Sequence, residues 1–332
     1  MTYKKLLAEI MGIGPAPEIF EVFQNAPRIV FYHGITDKPI VDKTIQANQI
    51  PFHIFKKQIN YLNRRFTIVS LDDIVDQVKS NKLRKDNIAL TFDDGYENNY
   101  FVAAPYLEEL GLPFTIFICP ELIQNRKRIP TYYVRSIVKY SHKPSIDISC
   151  LGKKYKIRNT DEKRSAIEKL TSIIKTSDKR LVDETIQELI QSISVEQRHE
   201  LDARFNSEEL MNWDMVNDLD RRNVTIGSHT LDHTILHKNQ DIKEIDRQMI
   251  NSKQMIIDHI GECKYFSFPN GSLPYICHYS IELSRKLYKA SFIVDGKALQ
   301  NDTDYALISR IGANDSLNLL RCQLSILSVN FK

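Results

Sequence analysis

The run Leu90-Thr91-Phe92-Asp93-Asp94-Gly95 sets two adjacent carboxylates and a glycine at the end of a short apolar stretch that reads as a buried strand. Neighbouring side chains of an extended segment point to opposite sides, so the pair can divide its work. One carboxylate can hold a metal ion while the other handles a proton. Asp-Asp-Gly is also ordinary turn chemistry, so the reading depends on a second cluster. The stretch from Val224 to His233 again runs from an apolar strand into polar residues, with His229 and His233 four positions apart. Two imidazoles and one carboxylate form an N2O ligand set suited to zinc or a similar divalent ion. Such a set leaves positions open for water and substrate, which is catalytic rather than structural metal geometry.

Thr91-Phe92-Asp93-Asp94-Gly95 and Ser228-His229-Thr230-Leu231-Asp232-His233 resemble the first two signature motifs of the polysaccharide deacetylases, carbohydrate esterase family 4 or the NodB-homology family. Phe266-Ser267-Phe268-Pro269-Asn270-Gly271 is similar to the third, and the resemblance spans residues 28–125 and 207–315. It implies one divalent ion, zinc before cobalt, nickel or manganese, held by Asp94, His229 and His233. It also implies Asp93 as general base, and hydrolytic removal of acetyl from an N-acetylated sugar in a polysaccharide or lipid-linked glycan precursor. The chain departs from the family twice. No His follows His278, where family members supply a late leaving-group acid, and Ser267 stands where the third motif has the Arg that orients the base. His33, ending the first predicted strand, is the candidate acid, resembling a variant in which an early His replaces the late one. Arg310, closing the last predicted strand, is the candidate partner of Asp93.

Around these lie candidate substrate contacts: Tyr96, directly after the glycine, and the turn Pro269-Asn270-Gly271. His237 continues the four-residue spacing but starts the next element and is set outside the ligand shell. Asp232 is a supporting or merely exposed residue, and Trp213 reads as core on an amphipathic helix. Two other functions fit parts of the pattern. A carbohydrate-binding protein could keep the fold without turnover, given the missing late His and third-motif Arg. An iron oxygenase also uses two His and one carboxylate, but its His and Asp normally lie close together in an all-β scaffold. Here Asp94 precedes His229 by 135 residues within an alternating α/β pattern.

The elements that must carry these residues follow from the apolar pattern. Short β-branched or aromatic runs at 28–32, 66–70, 88–92, 114–118, 224–228, 265–268, 291–294 and 307–311 predict strands. Between them, 52–64, 97–110, 207–222, 241–260 and 278–289 predict helices. In 241–260, Ile242, Ile245, Met249, Ile256 and Ile260 share one face, and Pro105 is expected to kink or split 97–110. The alternation predicts an α/β fold around a mainly parallel sheet. The resemblance narrows this to a distorted (β/α)7 barrel with its site at the carboxyl ends of the strands. Residues 126–206 break the rhythm with a predicted hairpin, 146–150 and 155–158, and charged helices over 161–176 and 178–193.

At 332 residues and 42% hydrophobic content the chain can bury a large core. The simplest partition is an N-terminal extension over 1–27, a barrel over 28–125 and 207–332, and a helical and hairpin insertion over 126–206. The first residues carry lysines without a long apolar core or small-residue cleavage site, and no stretch approaches the ~20 apolar residues of a membrane span. Five widely spaced Cys suit reduced thiols better than a disulfide framework. These features lead us to expect a cytoplasmic protein. Residues 126–180 hold sixteen Lys or Arg against five Asp or Glu, a net +11 within a chain of +3 overall. A run of this kind is either a solvated face or a patch for an anionic partner, such as the inner membrane face or a glycolipid phosphate. No nucleic-acid motif accompanies it.

Overall fold

The computed structural model describes residues 26–297 and 299–325, together with residues 9, 12 and 13. The N-terminal extension expected over 1–27 therefore lies almost wholly outside the described residues. Of the nine short strands in the central sheet, eight lie along one path: β1 Arg28–Tyr32, β2 Asn87–Phe92, β3 Thr115–Ile118, β4 Thr225–Ser228, β5 Tyr265–Ser267, β6 Ala290–Ile293, β7 Ile308–Ser309 and β8 Ile311–Gly312; the ninth, Thr67–Ile68 of the predicted 66–70 run, pairs beside β2. Every residue of β1, β2, β3, β5 and β6 is buried, as strands covered on both faces require.

All the pairings are parallel, in the order β7-β6-β5-β4-β3-β2-β1-β8. β7 and β8 are separated only by Arg310, yet β7 pairs with β6 and β8 with β1. One interrupted strand thus closes both edges of the sheet. The Arg310 N–H donates to the Ile293 carbonyl at 3.0 Å and the Ala313 N–H to the Phe31 carbonyl at 2.9 Å. Taking β7 and β8 as one interrupted strand, the fold is the expected distorted (β/α)7 barrel. The continuous strand expected over 307–311 is corrected to two halves.

Outside the barrel, helices Phe52–Arg65, Trp213–Arg221 and His278–Leu287 occupy three of the expected segments. Pro105 does split its element: a π-helical turn over Asn99–Ala103 passes into an α-helix over Ala104–Glu109. The predicted 241–260 helix carries a second π turn, Arg247–Asn251, between α segments Ile242–Asp246 and Ser252–Ile260. Ile245, Met249 and Ile256 are buried as expected, but Ile242, at the first position of the helix, is 56% exposed. The helix Leu71–Ser80 falls outside the predicted helices, although Leu71, Ile74, Val75 and Val78 recur at helical spacing and are all buried. Its start is nonetheless written in the chain as a capping box, Ser70 and Asp73 bonding each other's backbone N–H, and it ends on left-handed Asn81.

The insertion holds helices Pro130–Tyr140, Thr160–Thr176, Lys179–Gln191 and Val195–Arg204, and the antiparallel hairpin Ser145–Ile148 with Lys153–Lys156. It has its own apolar cluster, including Val134, Ile146, Leu170, Val182 and Leu189. Among the described residues no helix is long and apolar enough to cross a membrane, and all five Cys are free thiols. Because the insertion core is separate from the barrel core, Leu170→Ala should cost ~2–5 kcal/mol mainly within residues 130–191. Native-state hydrogen exchange should show lost protection there and unchanged protection in β1–β6. An equal loss in the barrel would show that the two cores unfold as one.

Candidate active site

The two acidic residues at the end of β2 separate because the backbone turns between them. Asp94 and Gly95 both adopt left-handed φ, 75° and 76°. Thr230 and His233 do the same after β4, at 62° and 65°. Non-glycine residues held in this region cost free energy and gather at functional sites. The result is a tight group: Asp94 Oδ1 lies 3.5 Å from His229 Nε2 and 3.3 Å from His233 Nε2. The three ligand atoms all lie within 4.8 Å of one another.

That oxygen is buried and has no hydrogen-bond partner, a costly arrangement for a carboxylate unless a cation sits among the three. Metal–ligand distances of ~2.0–2.1 Å imply tetrahedral edges of ~3.3–3.4 Å, close to the two separations of Asp94 from the imidazoles. The protonation states also fit. Burial, opposed by the charges of Asp93 and Asp94, pushes His229 down to about 4, leaving its imidazole neutral near pH 7. His229 Nδ1 lies 2.7 Å from the Ser267 carbonyl, which fixes Nε2 as the lone-pair nitrogen facing Asp94. Burial works to raise Asp94, yet the charges of His233, His33 and His229 hold it below the ordinary carboxylate range.

Two further contacts keep the His loop in place. Gln248 presents its carbonyl to the Leu231 N–H at 2.9 Å and its amide to Asp232 at 2.9 Å, and Ser252 shares a 2.7 Å hydrogen bond with Ser228. Asp232 itself supports the loop and pairs with Lys179 at 2.9 Å. His237, as expected, stands outside the ligand group: its Nε2 lies 3.0 Å from the Ser177 carbonyl.

Asp93 meets Arg310 across the barrel. The guanidinium donates to both carboxylate oxygens at 2.8 and 2.7 Å, and also to Thr91 Oγ1 at 3.1 Å and Ser267 Oγ at 2.7 Å. Its charged carbon lies over the rings of Phe31 at 4.7 Å and Phe117 at 5.3 Å. Ser267, where the resembling motif has Arg, is thus an acceptor for an Arg delivered by another strand. Burial acts to raise the Asp93 pKa, but Arg310, aided by His229 and His33, brings it below its ordinary value.

His33 directly follows β1, half-buried, with its ring edge-on to Phe31 at 5.5 Å. Its charge acts on both Asp93 and Asp94, which places it beside the cluster. Exposed His278 begins a helix. The Tyr96 ring is buried with Cys119, Leu122 and Ile129, so it is no open sugar platform, and its backbone bridges Leu210. Pro269-Asn270-Gly271 forms a turn after β5 in which Asn270 and Gly271 have left-handed φ of 61° and 55°, and the Gly271 carbonyl accepts from the Val294 N–H at 2.7 Å. A side chain at Gly271 would strike Val294 at 2.6 Å, so glycine is required. Trp213 is partly buried, stacked on His259 at 3.6 Å, and its Nε1 donates to Gln124.

One acidic residue escaped the sequence reading. Glu208 is 4% exposed, with Oε1 unpartnered, and burial pushes its carboxyl up to about 7, Asp94 adding to the rise. Nothing in Phe205-Asn206-Ser207-Glu208-Glu209 distinguishes it from a solvated acidic turn. Gln248 was findable, as a polar residue one position before Met249 on an otherwise apolar helix face.

The sequence model of the family described as polysaccharide deacetylase matches residues 80–287, including the Asp and His clusters and the turn after β5. His33 and Arg310 lie outside that match. The fold is similar to that of a Streptococcus pyogenes deacetylase, PplD, solved with acetate, at 14% identity and a TM-score of 0.57 over 90% of this chain and 99% of that one. It is also similar to IcaB from Ammonifex degensii, at 13% identity and a TM-score of 0.57 over 91% and 97% of the two chains. No curated protein matches the chain in sequence.

Removing Arg310 strands a buried carboxylate. Arg310→Met should destabilise the protein by ~3–5 kcal/mol in urea unfolding at pH 7, and adding Asp93→Asn should recover part of that loss, because no charge then stays buried. A small loss, or no recovery, would mean that Asp93 has another counter-charge.

Glu208 gives a pH signature. Its folded pKa of about 7 exceeds the ordinary 4.5, so the folded state retains a proton that the unfolded state releases. Stability is therefore full below pH ~4.5 and falls as pH rises through ~7, by about 3 kcal/mol. Glu208→Gln should remove that fall when both proteins are unfolded in urea across pH 5–8 with chelator present. Parallel wild-type and variant curves would show that Glu208 is ionised throughout.

Proposed function

The chain belongs to the polysaccharide deacetylase family, and on that premise we propose that it is a metal-dependent hydrolase removing acetyl from an N-acetylated sugar of a polysaccharide or lipid-linked glycan precursor. The observation that carries this reading is the orphaned Asp94 oxygen facing two imidazole nitrogens, beside an Asp93 clamped by Arg310. Asp94, His229 and His233 would hold the ion, with zinc the best match to two nitrogens and one oxygen at these separations. When bound, it would supply a Lewis acid that polarises the acetamide oxygen and acidifies water.

The chain's own residues do the rest. Asp93 accepts the proton of the attacking water, and Arg310 fixes the carboxylate plane while keeping it ionised. Ser267 contributes twice: its carbonyl sets the His229 tautomer and its hydroxyl receives Arg310. His33, next to both carboxylates, donates a proton to the departing amine nitrogen. The Pro269-Asn270-Gly271 turn would wall the sugar site. The cross-barrel Arg310 supports turnover over a fold kept without it, because it supplies the base-orienting contact that Ser267 cannot make.

Acetate release from N-acetylated oligosaccharides, measured with and without added zinc, cobalt, nickel or manganese, tests the assignment. Asp94→Ala, His229→Ala and His233→Ala should each lose bound metal and activity together. Asp93→Asn should keep its metal and lose roughly 10²–10⁴-fold in rate, and His33→Ala should keep metal but lose the alkaline limb of the pH profile. Metal-loaded Asp93→Asn working at a near-normal rate would refute the base role.

A further inference from the structure

A cavity of about 810 Å³ lies between the barrel and the insertion, and His233 is part of its wall. This volume is within the range of small-molecule sites. One face of the helix Lys179–Gln191 lines it, with Val182, Ile186 and Ile190 supplying an apolar strip at helical spacing. The charged groups in the wall are unevenly matched. Every carboxylate has a cation: Glu121 with Arg247 at 3.1 Å, Asp232 with Lys179 at 2.9 Å, Asp183 also with Lys179, and Asp202 with Arg128 at 3.4 Å. Arg128 is further tied to the Phe205 carbonyl and Glu209. Three other cations in the same wall, Arg126, Lys127 and Arg198, pair with no carboxylate among the described residues. The cavity therefore keeps a surplus of positive charge at its surface, within the same enclosure as a residue of the candidate metal site.

We propose that this cavity is a binding subsite for a phosphate group carried by the acetylated sugar, so that the substrate class is an N-acetylated glycan phosphate. The proposal rests on the deacetylase reading for the sugar itself. Arg126, Lys127 and Arg198 meet the phosphate oxygens, and the Val182, Ile186 and Ile190 strip takes an apolar group beyond the phosphate where one is present. The insertion is then part of the substrate site. The phosphate could belong to a soluble sugar phosphate or to a lipid headgroup, and the test separates these sources.

Calorimetry with inorganic pyrophosphate on the full, metal-free chain reads the subsite without catalysis. Binding should weaken as salt rises, since partly exposed charges are screened over ~10 Å at 0.1 M. In the Arg126→Gln, Lys127→Gln, Arg198→Gln triple variant it should weaken by roughly tenfold or more. Equal affinity in wild type and triple variant, or binding insensitive to salt, overturns the proposal. Acetate release is then compared for N-acetylglucosamine 1-phosphate, the same sugar on an isoprenoid diphosphate, and neutral chitotetraose. The ratio of kcat/KM for phosphorylated over neutral probes should exceed tenfold and fall in the triple variant. Preference for the isoprenoid probe identifies a lipid source, and equal use of both phosphorylated probes a soluble one. Turnover of all three probes with a ratio unmoved by the triple variant leaves the deacetylase reading standing and sinks the subsite. Charge-dependent pyrophosphate binding with no acetate released from any probe by the metal-loaded protein supports the subsite and sinks the deacetylase reading.

Discussion

Arg310 has no solvent exposure, and its charge is tolerable only because Asp93 faces it with both oxygens. Taking either ion out of water alone costs several kcal/mol, and the pair recovers that only through near-ideal geometry with its remaining donors satisfied. Thr91 and Ser267 take two of those donors and two aromatic faces border the guanidinium, while Nε is left without a partner among the described residues. Arg310 also sits at the break between β7 and β8, where the chain leaves β6 and joins β1. Closing the barrel and orienting the carboxylate are therefore one structural act. The His loop inherits the same frame, because Ser267 touches both Arg310 and His229.

Much of this was legible in the residues. Asp93-Asp94-Gly95 and the His229, His233 pair each follow a strand whose apolar run is unmistakable, and side-chain chemistry at strand ends survives translation into three dimensions. Arg310 could be named as a partner for Asp93 because a cation ending a buried strand needs a counter-charge. The pairing of β7 and β8 with opposite edges was not readable, since a two-residue half-strand has no periodicity. Glu208 was invisible for a related reason: its burial is imposed by segments remote in sequence, Gln49 and Arg135 among its neighbours. The helix Leu71–Ser80 was legible on two grounds, the Ser70 and Asp73 cap and the helical spacing of Leu71, Ile74, Val75 and Val78, yet it stands outside the predicted set.

The basic stretch shows how a count of charges misleads until the partners are known. Arg158 is spent on Glu162, Lys163 on the carbonyls of Lys139 and Ser141, and Lys139 on Asp42. Much of the +11 is thus internal fastening of the insertion to itself and to the barrel. What matters for recognition is which of the remaining cations line a cavity, as Arg126 and Lys127 do, rather than how many there are.

The π turn at Arg247–Asn251 carries a consequence for how the chain can change in length. A π turn accommodates one residue more than an α turn. Here it brings Gln248, Met249 and Ser252, all with no solvent exposure, onto the barrel side together. Losing one residue from the turn would therefore leave a regular α-helix in which the segments on either side keep their faces. Ser252 would still reach Ser228 and Ile256 the core, and only the residues within the turn, Gln248 and Met249 among them, would be reseated. The turn is thus the place where this helix can gain or lose a residue while its brace on the strand before His229 holds.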